Sequence, residues 1–361
     1  MKISYEVPVI TPRSTALVQQ AWAIWDGKVK PQLSLGRLEH LAVDIVSMRE
    51  SLAPQLGTPC LFLFASDHGI VAEGVTSSPR EITWQQCENF ARGGGAIGLM
   101  CAQNGIDLQV IDMGVAHDFD ASLGIISQKI ARGTQNFAHQ AAMTQEQCYK
   151  ALKAGQDVVR KSYRDGYMVV AFGEMGVGNT SSASALMASL TGYDLDRCTG
   201  KGAGLSEQGL MHKREVLARA LKFHGKIQDP LEALRTFGGF EIAAIAGGML
   251  EAAHLKQVIL VDGFITTVAA LVAILVAPAV QDFMIFCHKS GESGHAALLD
   301  HLGATPLLSL SMRLGEGSGA ALGWLVIRQA MDLYLGMNSF SGAQVTDSVE
   351  LLKTQGVNAH A

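Results

Sequence analysis

The sequence predicts an α/β fold: a parallel sheet with helices on both faces, plus a small helical domain from both chain ends. Three observations predict it. Short apolar runs recur, each closing on a polar or glycine-rich turn. Stretches with helical spacing separate them. Both chain ends carry apolar-rich helical stretches instead. Strands that alternate with helices build a parallel sheet, because each crossover lays a helix over a face of it.

In chain order, Ser14 to Trp25 reads as an apolar-rich helix. The first strand-like run, CLFLFA at 60–65, passes into SDHG, and LQVID at 108–112 passes into MGV. YMVVAF at 167–172 passes into GEMGVGNTSS, where the strand is expected to end and a glycine loop to begin. VILVD at 258–262 leads to GF, and MIFCH at 284–288 to KSGESG. Helical spacing marks SASALMASL, HKREVLARALKF, FEIAAIAGGMLEAA and, near the end, Ala320 to Leu335. The two terminal helices are expected to pack as one discontinuous domain, residues 1–35 with 305–355, around a large domain at 36–304. The tail after Gly342 is polar and is expected to be loose. All the polar turns follow strands, so they can meet at one mouth, where such sheets bind ligands.

Composition narrows the function classes. Of 361 residues, 48% are hydrophobic and only 17% charged, which describes a compact globular chain. Glycine is abundant, at 39 residues against 9 prolines, and suggests tight turns and close helix packing. The net charge of −5 comes without any basic block, so nucleic acid is a poor partner. Cys60, Cys87, Cys101, Cys148, Cys198 and Cys287 form no C-x-x-C pair and read as reduced, buried thiols. The N-terminal MKISYEVPVITPR has no apolar signal core, and a cytoplasmic protein is expected. Residues 263–280, GFITTVAALVAILVAPAV, are uncharged and long enough to raise the question of a membrane span. A buried strand–turn–helix unit explains them better, with Gly263 as the turn and Pro278 as the stop.

Several turns carry side chains with chemistry. GEMGVGNTSS offers a phosphate site at a helix start, where backbone N–H groups and the helix dipole favour anions. It is not a nucleoside-triphosphate loop, since no G-K-[ST] follows. A helix start merely rich in small residues fits the same letters. Lys201 in TGKGAGL and Lys213 in HKREVLARAL are candidate phosphate ligands, and either alone also reads as a surface charge. Asp67, His68 and Glu73 lack any metal-site spacing, as do His288, His295 and His301, so no metal and no cofactor are expected. Gln85 and Gln86 could face a planar ligand. Ser290 and Gly291 could donate to a phosphate or sugar, or form an ordinary turn. In RLGEGSGAALG, Glu316 stands between Gly315 and Gly317, before an apolar helix. A partly desolvated glutamate binds protons more tightly and makes a better base. A carboxylate answering a helix dipole gives the same pattern.

Together these pieces resemble the nicotinate-nucleotide–dimethylbenzimidazole phosphoribosyltransferase family of cobalamin assembly, the CobT family. The matching segments are DHGI-x-x-EGV-x-x-SP, GT-x-N with AMT downstream, GE-x-G-x-x-NT, GGFEIAAIAGGML, VDGF and MRLGEGSGAAL. They run in the family's order from about Asp67 to Leu322. The resemblance implies a Rossmann-like large domain, a small helical domain and a homodimer. It implies transfer of phosphoribose from nicotinate mononucleotide to 5,6-dimethylbenzimidazole, giving α-ribazole 5′-phosphate and nicotinate. It implies Glu316 as the catalytic base, and Ser78, Gln86, Met312 and Leu314 around the benzimidazole. Glu174, Gly176, Asn179 and Lys213 would hold the mononucleotide, with Ser290 and Gly291 as further contacts. KGAGL and the KSGESGH loop depart from some relatives. A competing reading from another class is a nucleotide-sensing binding protein on the same fold without catalysis.

Overall fold

The computed structural model describes residues 5–202 and 204–347. Six parallel strands form one sheet: β1 (Cys60–Ser66), β2 (Asp107–Gly114), β3 (Ile126–Ser127), β4 (Val169–Met175), β5 (Val258–Val261) and β6 (Met284–Phe286). Their spatial order is β3-β2-β1-β4-β5-β6. The order reverses between β1 and β4, which makes that edge-to-edge crevice the topological switch point. Every residue of β1 is buried, so helices cover both of its faces, as the unbroken apolar run CLFLFA requires.

The helices are α1 (Val18–Asp26), α2 (Arg37–Arg49), α3 (Ile82–Ala91), α4 (Gly95–Asn104), α5 (Gln145–Arg164), α6 (Asn179–Thr191) and α7 (Leu195–Cys198). There follow α8 (Glu207–His224), α9 (Pro230–Phe237), α10 (Phe240–His254), α11 (Phe264–Val276), α12 (Ser293–His301), α13 (Ser318–Gly336) and α14 (Phe340–Ala343). Local signals start several of them. Thr144 and Gln147 form a reciprocal capping box on α5. Ser206 caps α8, and Asp229 with Pro230 starts α9. The apolar α10 lies across β1, β2, β4 and β5 and packs along α5. A Cβ at Gly155 of α5 would sit 1.8 Å from the Ala244 carbonyl oxygen, so this crossing tolerates no side chain there.

The uncharged segment at 263–280 is the 13-residue α11 followed by a 3-10 turn from Pro278. No helix among the described residues is long and apolar enough to cross a membrane. The six cysteines are buried thiols.

Contacts divide the chain into two compact units, at bounds that differ from the expected 35 and 305. One takes the residues up to Pro12 together with Leu56–Trp324, and holds the whole sheet. Tyr5 belongs to it because its ring stacks on Tyr149 and its hydroxyl accepts from Gln156 Nε2 at 3.1 Å. The other unit is helical, Arg13–Gln55 with Leu325 onward. There the buried Trp25 meets Tyr334 edge to face and donates to the Glu39 carbonyl at 3.2 Å. Lys30 pairs with the buried Glu39 at 2.9 Å. Most of the polar tail expected to be loose, residues 348–361, lies outside the described residues.

One boundary differs from the sequence reading. The third apolar run does not stop at Phe172: β4 continues through Gly173, Glu174 and Met175, which pair with Leu63, Phe64 and Ala65 of β1. Gly173 and Glu174 are therefore strand residues, held by the neighbouring strand where their own letters give no strand signal. The two-residue β3 at the sheet edge is also absent from the sequence reading, being too short to show a period.

Candidate active site

A cavity of about 280 Å³ opens at the carboxyl ends of β1, β4, β5 and β6. Turns from all four strands supply its wall: Thr76 and Ser78 after β1, Gly176 to Thr180 after β4, Gly263 after β5 and Ser290 after β6. The loop ahead of α13 closes it with Arg313 to Glu316. The turn after β2 is not part of the wall.

Glu316 occupies an unusual backbone position. Its φ is +63°, between Gly315 at +80° and Gly317 at +86°. Three consecutive left-handed residues form a tight reversal, and glycine on both sides leaves only Glu316 to bear the steric cost, roughly 1–3 kcal/mol. The residue is 9% exposed, and burial, with Asp262 adding its negative charge, pushes its carboxyl up to about 7. A buried carboxyl near neutrality can take a proton and lose it again at ordinary pH. Gly173 makes room for this turn, since a Cβ there would lie 2.6 Å from the Glu316 carbonyl oxygen.

Glu174, one residue along β4, is buried and accepts a hydrogen bond from Asn179 Nδ2. Burial first, then the charges of Asp262, Glu241 and Glu316, hold its carboxyl well above the usual range.

Lys213 is buried in α8, and desolvation brings its ammonium down to about 8, with Glu292 opposing that shift. Its Nζ donates to Thr180 Oγ1 at 2.9 Å and to the Gly200 carbonyl at 3.4 Å. Lys213 itself is not on the wall; it stands behind Thr180, which is. Lys201 instead pairs with Glu207 at 2.5 Å and is half-buried.

Of the residues singled out in the sequence, Ser78, Gln86, Glu174, Gly176, Asn179, Ser290, Leu314 and Glu316 share this one wall. Gln85 does not. Met312 and Gly291 lie beside the wall and are bonded to each other: the Gly291 N–H donates to the Met312 carbonyl at 2.7 Å. That N–H is therefore already committed. The same carbonyl accepts from Ser290 Oγ at 3.1 Å, which ties the turn after β6 to the loop that carries Glu316.

The three residues of the weighed metal reading separate. His68 is buried, with Nε2 2.7 Å from Glu241 and Nδ1 2.9 Å from Ser182. Asp67 accepts from the Ala116 N–H at 2.7 Å, and Glu73 from Asn136 at 2.7 Å. Among the described residues no group of three such side chains is placed to hold a metal ion.

Sequence reasoning missed several wall residues. Ile82, Val177, Phe264 and Ile265 give it apolar faces, and Arg313 puts an exposed guanidinium on it. Arg313 was legible as part of RLGEGSG. The apolar ones carry no signal that separates wall from core.

A family described as Phosphoribosyltransferase matches residues 10–345. Among similar proteins, a nicotinate-nucleotide–dimethylbenzimidazole phosphoribosyltransferase of Cupriavidus necator is 47% identical over 341 residues, 94% of this chain and 99% of that protein. One of the same name from Ralstonia nicotianae is 48% identical over 335 residues, 92% of this chain and 94% of that protein. The crystal structure of CobT from Thermus thermophilus superposes with a TM-score of 0.88 at 38% identity, covering 91% of this chain and 99% of that one.

Proposed function

Because the chain belongs to the phosphoribosyltransferase family that it matches over residues 10–345, we propose that it moves the 5-phosphoribosyl group of nicotinate mononucleotide onto 5,6-dimethylbenzimidazole, with Glu316 as the base. It is a pentosyltransferase, and the products of this reaction are α-ribazole 5′-phosphate and nicotinate. The observation that carries the role of Glu316 is its buried carboxyl, raised to about 7, on the wall of the cavity at the strand ends, carried by a left-handed turn between two glycines.

The chemistry needs one base and no matching acid. The nicotinate ring of the donor is a pyridinium, so it departs from C1′ without gaining negative charge on nitrogen. The benzimidazole attacks through one ring nitrogen while the other carries N–H. Unless that proton is removed, the product is a cation. Glu316 takes it as the new N–C1′ bond forms. Attack opposite the departing nicotinate turns the β-linked donor into an α-linked product. The rest is positioning, which can supply much of the rate when two reactants are held in line.

In this reading Ser78, Gln86 and Leu314 border the benzimidazole, with Met312 supporting Leu314 from behind the wall. Glu174, Gly176, Asn179 and Ser290 face the mononucleotide, while Lys213 acts on its phosphate through Thr180. Gly291 serves by holding Met312 rather than by meeting the ligand. The strand order supports a Rossmann-like large domain. The reading also takes the chain as a cytoplasmic homodimer whose small helical domain is drawn from both ends. A nucleotide-sensing protein without catalysis is not favoured, because the base and the loop after β4 are both intact.

The test is direct. Purified protein is mixed with nicotinate mononucleotide and 5,6-dimethylbenzimidazole, and released nicotinate and the α-linked product are measured by mass. Absence of both products under any acceptor concentration rejects the reading.

A further inference from the structure

Asp262 follows the last residue of β5 and is 1% exposed. Asp262 does not line the cavity, yet its carboxylate gathers the backbone that carries Glu316. Oδ2 accepts from the Gly317 N–H at 3.1 Å. Oδ1 accepts from Gly319 at 2.6 Å and from Ala320 at 3.1 Å. These N–H groups sit at or just before the first turn of α13, where no carbonyl of the helix can satisfy them. A negative group is favoured there by the helix dipole as well.

The adjoining turn needs such a restraint. Glu316 at φ +63° is a left-handed non-glycine residue, a conformation that persists only where its surroundings over-determine it. On the N-terminal side Glu174 faces the Glu316 backbone amide, and on the C-terminal side stands Asp262. The base is thus held between two buried carboxylates from adjacent strands.

We propose that Asp262 is the positioning residue of the Glu316 base, fixing the left-handed turn that carries it through three backbone hydrogen bonds. This rests on the reading of Glu316 as the base. The negative charge of Asp262 is also the neighbour that adds to the proton affinity of Glu316. The other ionisable groups around the pair are Glu174 on β4, Glu241 on α10, whose charge acts on Glu174 and whose carboxylate pairs with His68, and His288 after β6. The buried His288 ring lies 3.6 Å from Asp262 Oδ1 and 6.0 Å, ring to ring, from His295 on α12. Burial brings His295 down to about 3, so it stays neutral.

The test uses the full chain with Asp262→Asn, Glu316→Gln and the double variant. Asparagine keeps an acceptor for Gly319 and Ala320 but turns an NH₂ toward the Gly317 N–H, and it removes the charge. Turnover should fall about 10²-fold, the scale of a misplaced catalytic group. The donor KM should stay within about twofold, because the loss lies in the chemical step and not in ground-state binding. The acid limb of the kcat profile should move below its wild-type position, since the charge favouring the protonated base is gone. In the Glu316→Gln background Asp262→Asn should add almost nothing, because a residue that acts through another has no effect without it.

Equal losses in both backgrounds, or an acid limb that does not move, would overturn the proposal. If Asp262→Asn does not fold, Asp262→Ser is measured in the same way. Failure of both to fold counts against the proposal, because it places Asp262 in stability alone. Normal turnover in Glu316→Gln by itself sinks the identification of the base instead, which separates the two failures.

Discussion

The carbonyl of Glu316 passes over Gly173 so closely that a Cβ on residue 173 would meet its oxygen at 2.6 Å and its carbon at 2.7 Å. The middle of β4 and the turn before α13 are therefore fitted to each other, and the strand tolerates only hydrogen at that point. Gly173→Ala should displace the Glu316 turn and lower kcat about 10²-fold, a cost typical of a sub-ångström to ångström misplacement. Steady-state kinetics check this. A variant with unchanged kcat would mean that the turn shifts freely, against the geometry.

Glu316→Gln should lower turnover by about 10²–10⁴-fold, the range for a positioned base. In the wild type, kcat should rise with pH through about 7, where the Glu316 carboxyl gives up its proton. Isothermal assays from pH 5 to 9 read both effects. A flat profile across that range would remove Glu316 from the role of base.

The same carboxyl should cost stability when ionised. Its folded value, about 7, lies above the ordinary 4.5, so its contribution is fully present below 4.5 and is lost as pH rises toward 7. Glu316→Gln should therefore melt close to the wild type below pH 4.5. Its advantage should grow between 4.5 and 7, and level off above. Thermal unfolding across pH measures this, and an advantage that shrank as pH rose would contradict the burial of the ionised group.

Lys213→Ala should raise the donor KM about 10- to 100-fold, since it removes the charge-assisted hydrogen bond that holds Thr180 Oγ1 on the wall, an interaction worth roughly 1.5–3 kcal/mol. Saturating donor should restore most of kcat, because phosphate holding is largely uniform binding. In the wild type the donor KM should climb above pH of about 8, where the buried ammonium loses its proton. Donor saturation curves at several pH values test both statements.

Much of the fold was legible in particular runs. CLFLFA, LQVID, VILVD and MIFCH all mark strands, and HKREVLARALKF and FEIAAIAGGMLEAA lie within helices. Apolar periodicity survives folding because it decides which face is buried. Gly173 to Met175 escaped that logic. Their strand state comes from pairing with β1, and no local preference announces it. The site divides in the same way. Ser78 and Glu316 stand in turns, Gln86 on α3, Asn179 at the start of α6 and Glu174 at the end of β4; their motifs are specific, and the strand ends bring them to one wall. Lys213 was legible as a residue but not as one buried behind Thr180.

The sequence by itself determined the alternation of strand and helix, the family and the one carboxylate framed by glycines. These are properties of neighbours along the chain, where burial period, turn chemistry and motif spacing act. Only the tertiary structure decided that Asp262 would reach across to the start of α13, that Gly291 would spend its N–H on Met312, and that Glu316 would lose enough water to hold a proton near neutrality. Each of those depends on groups far apart in sequence meeting in a place that excludes solvent, and desolvation and long-range hydrogen bonding exist only once the strands have assembled.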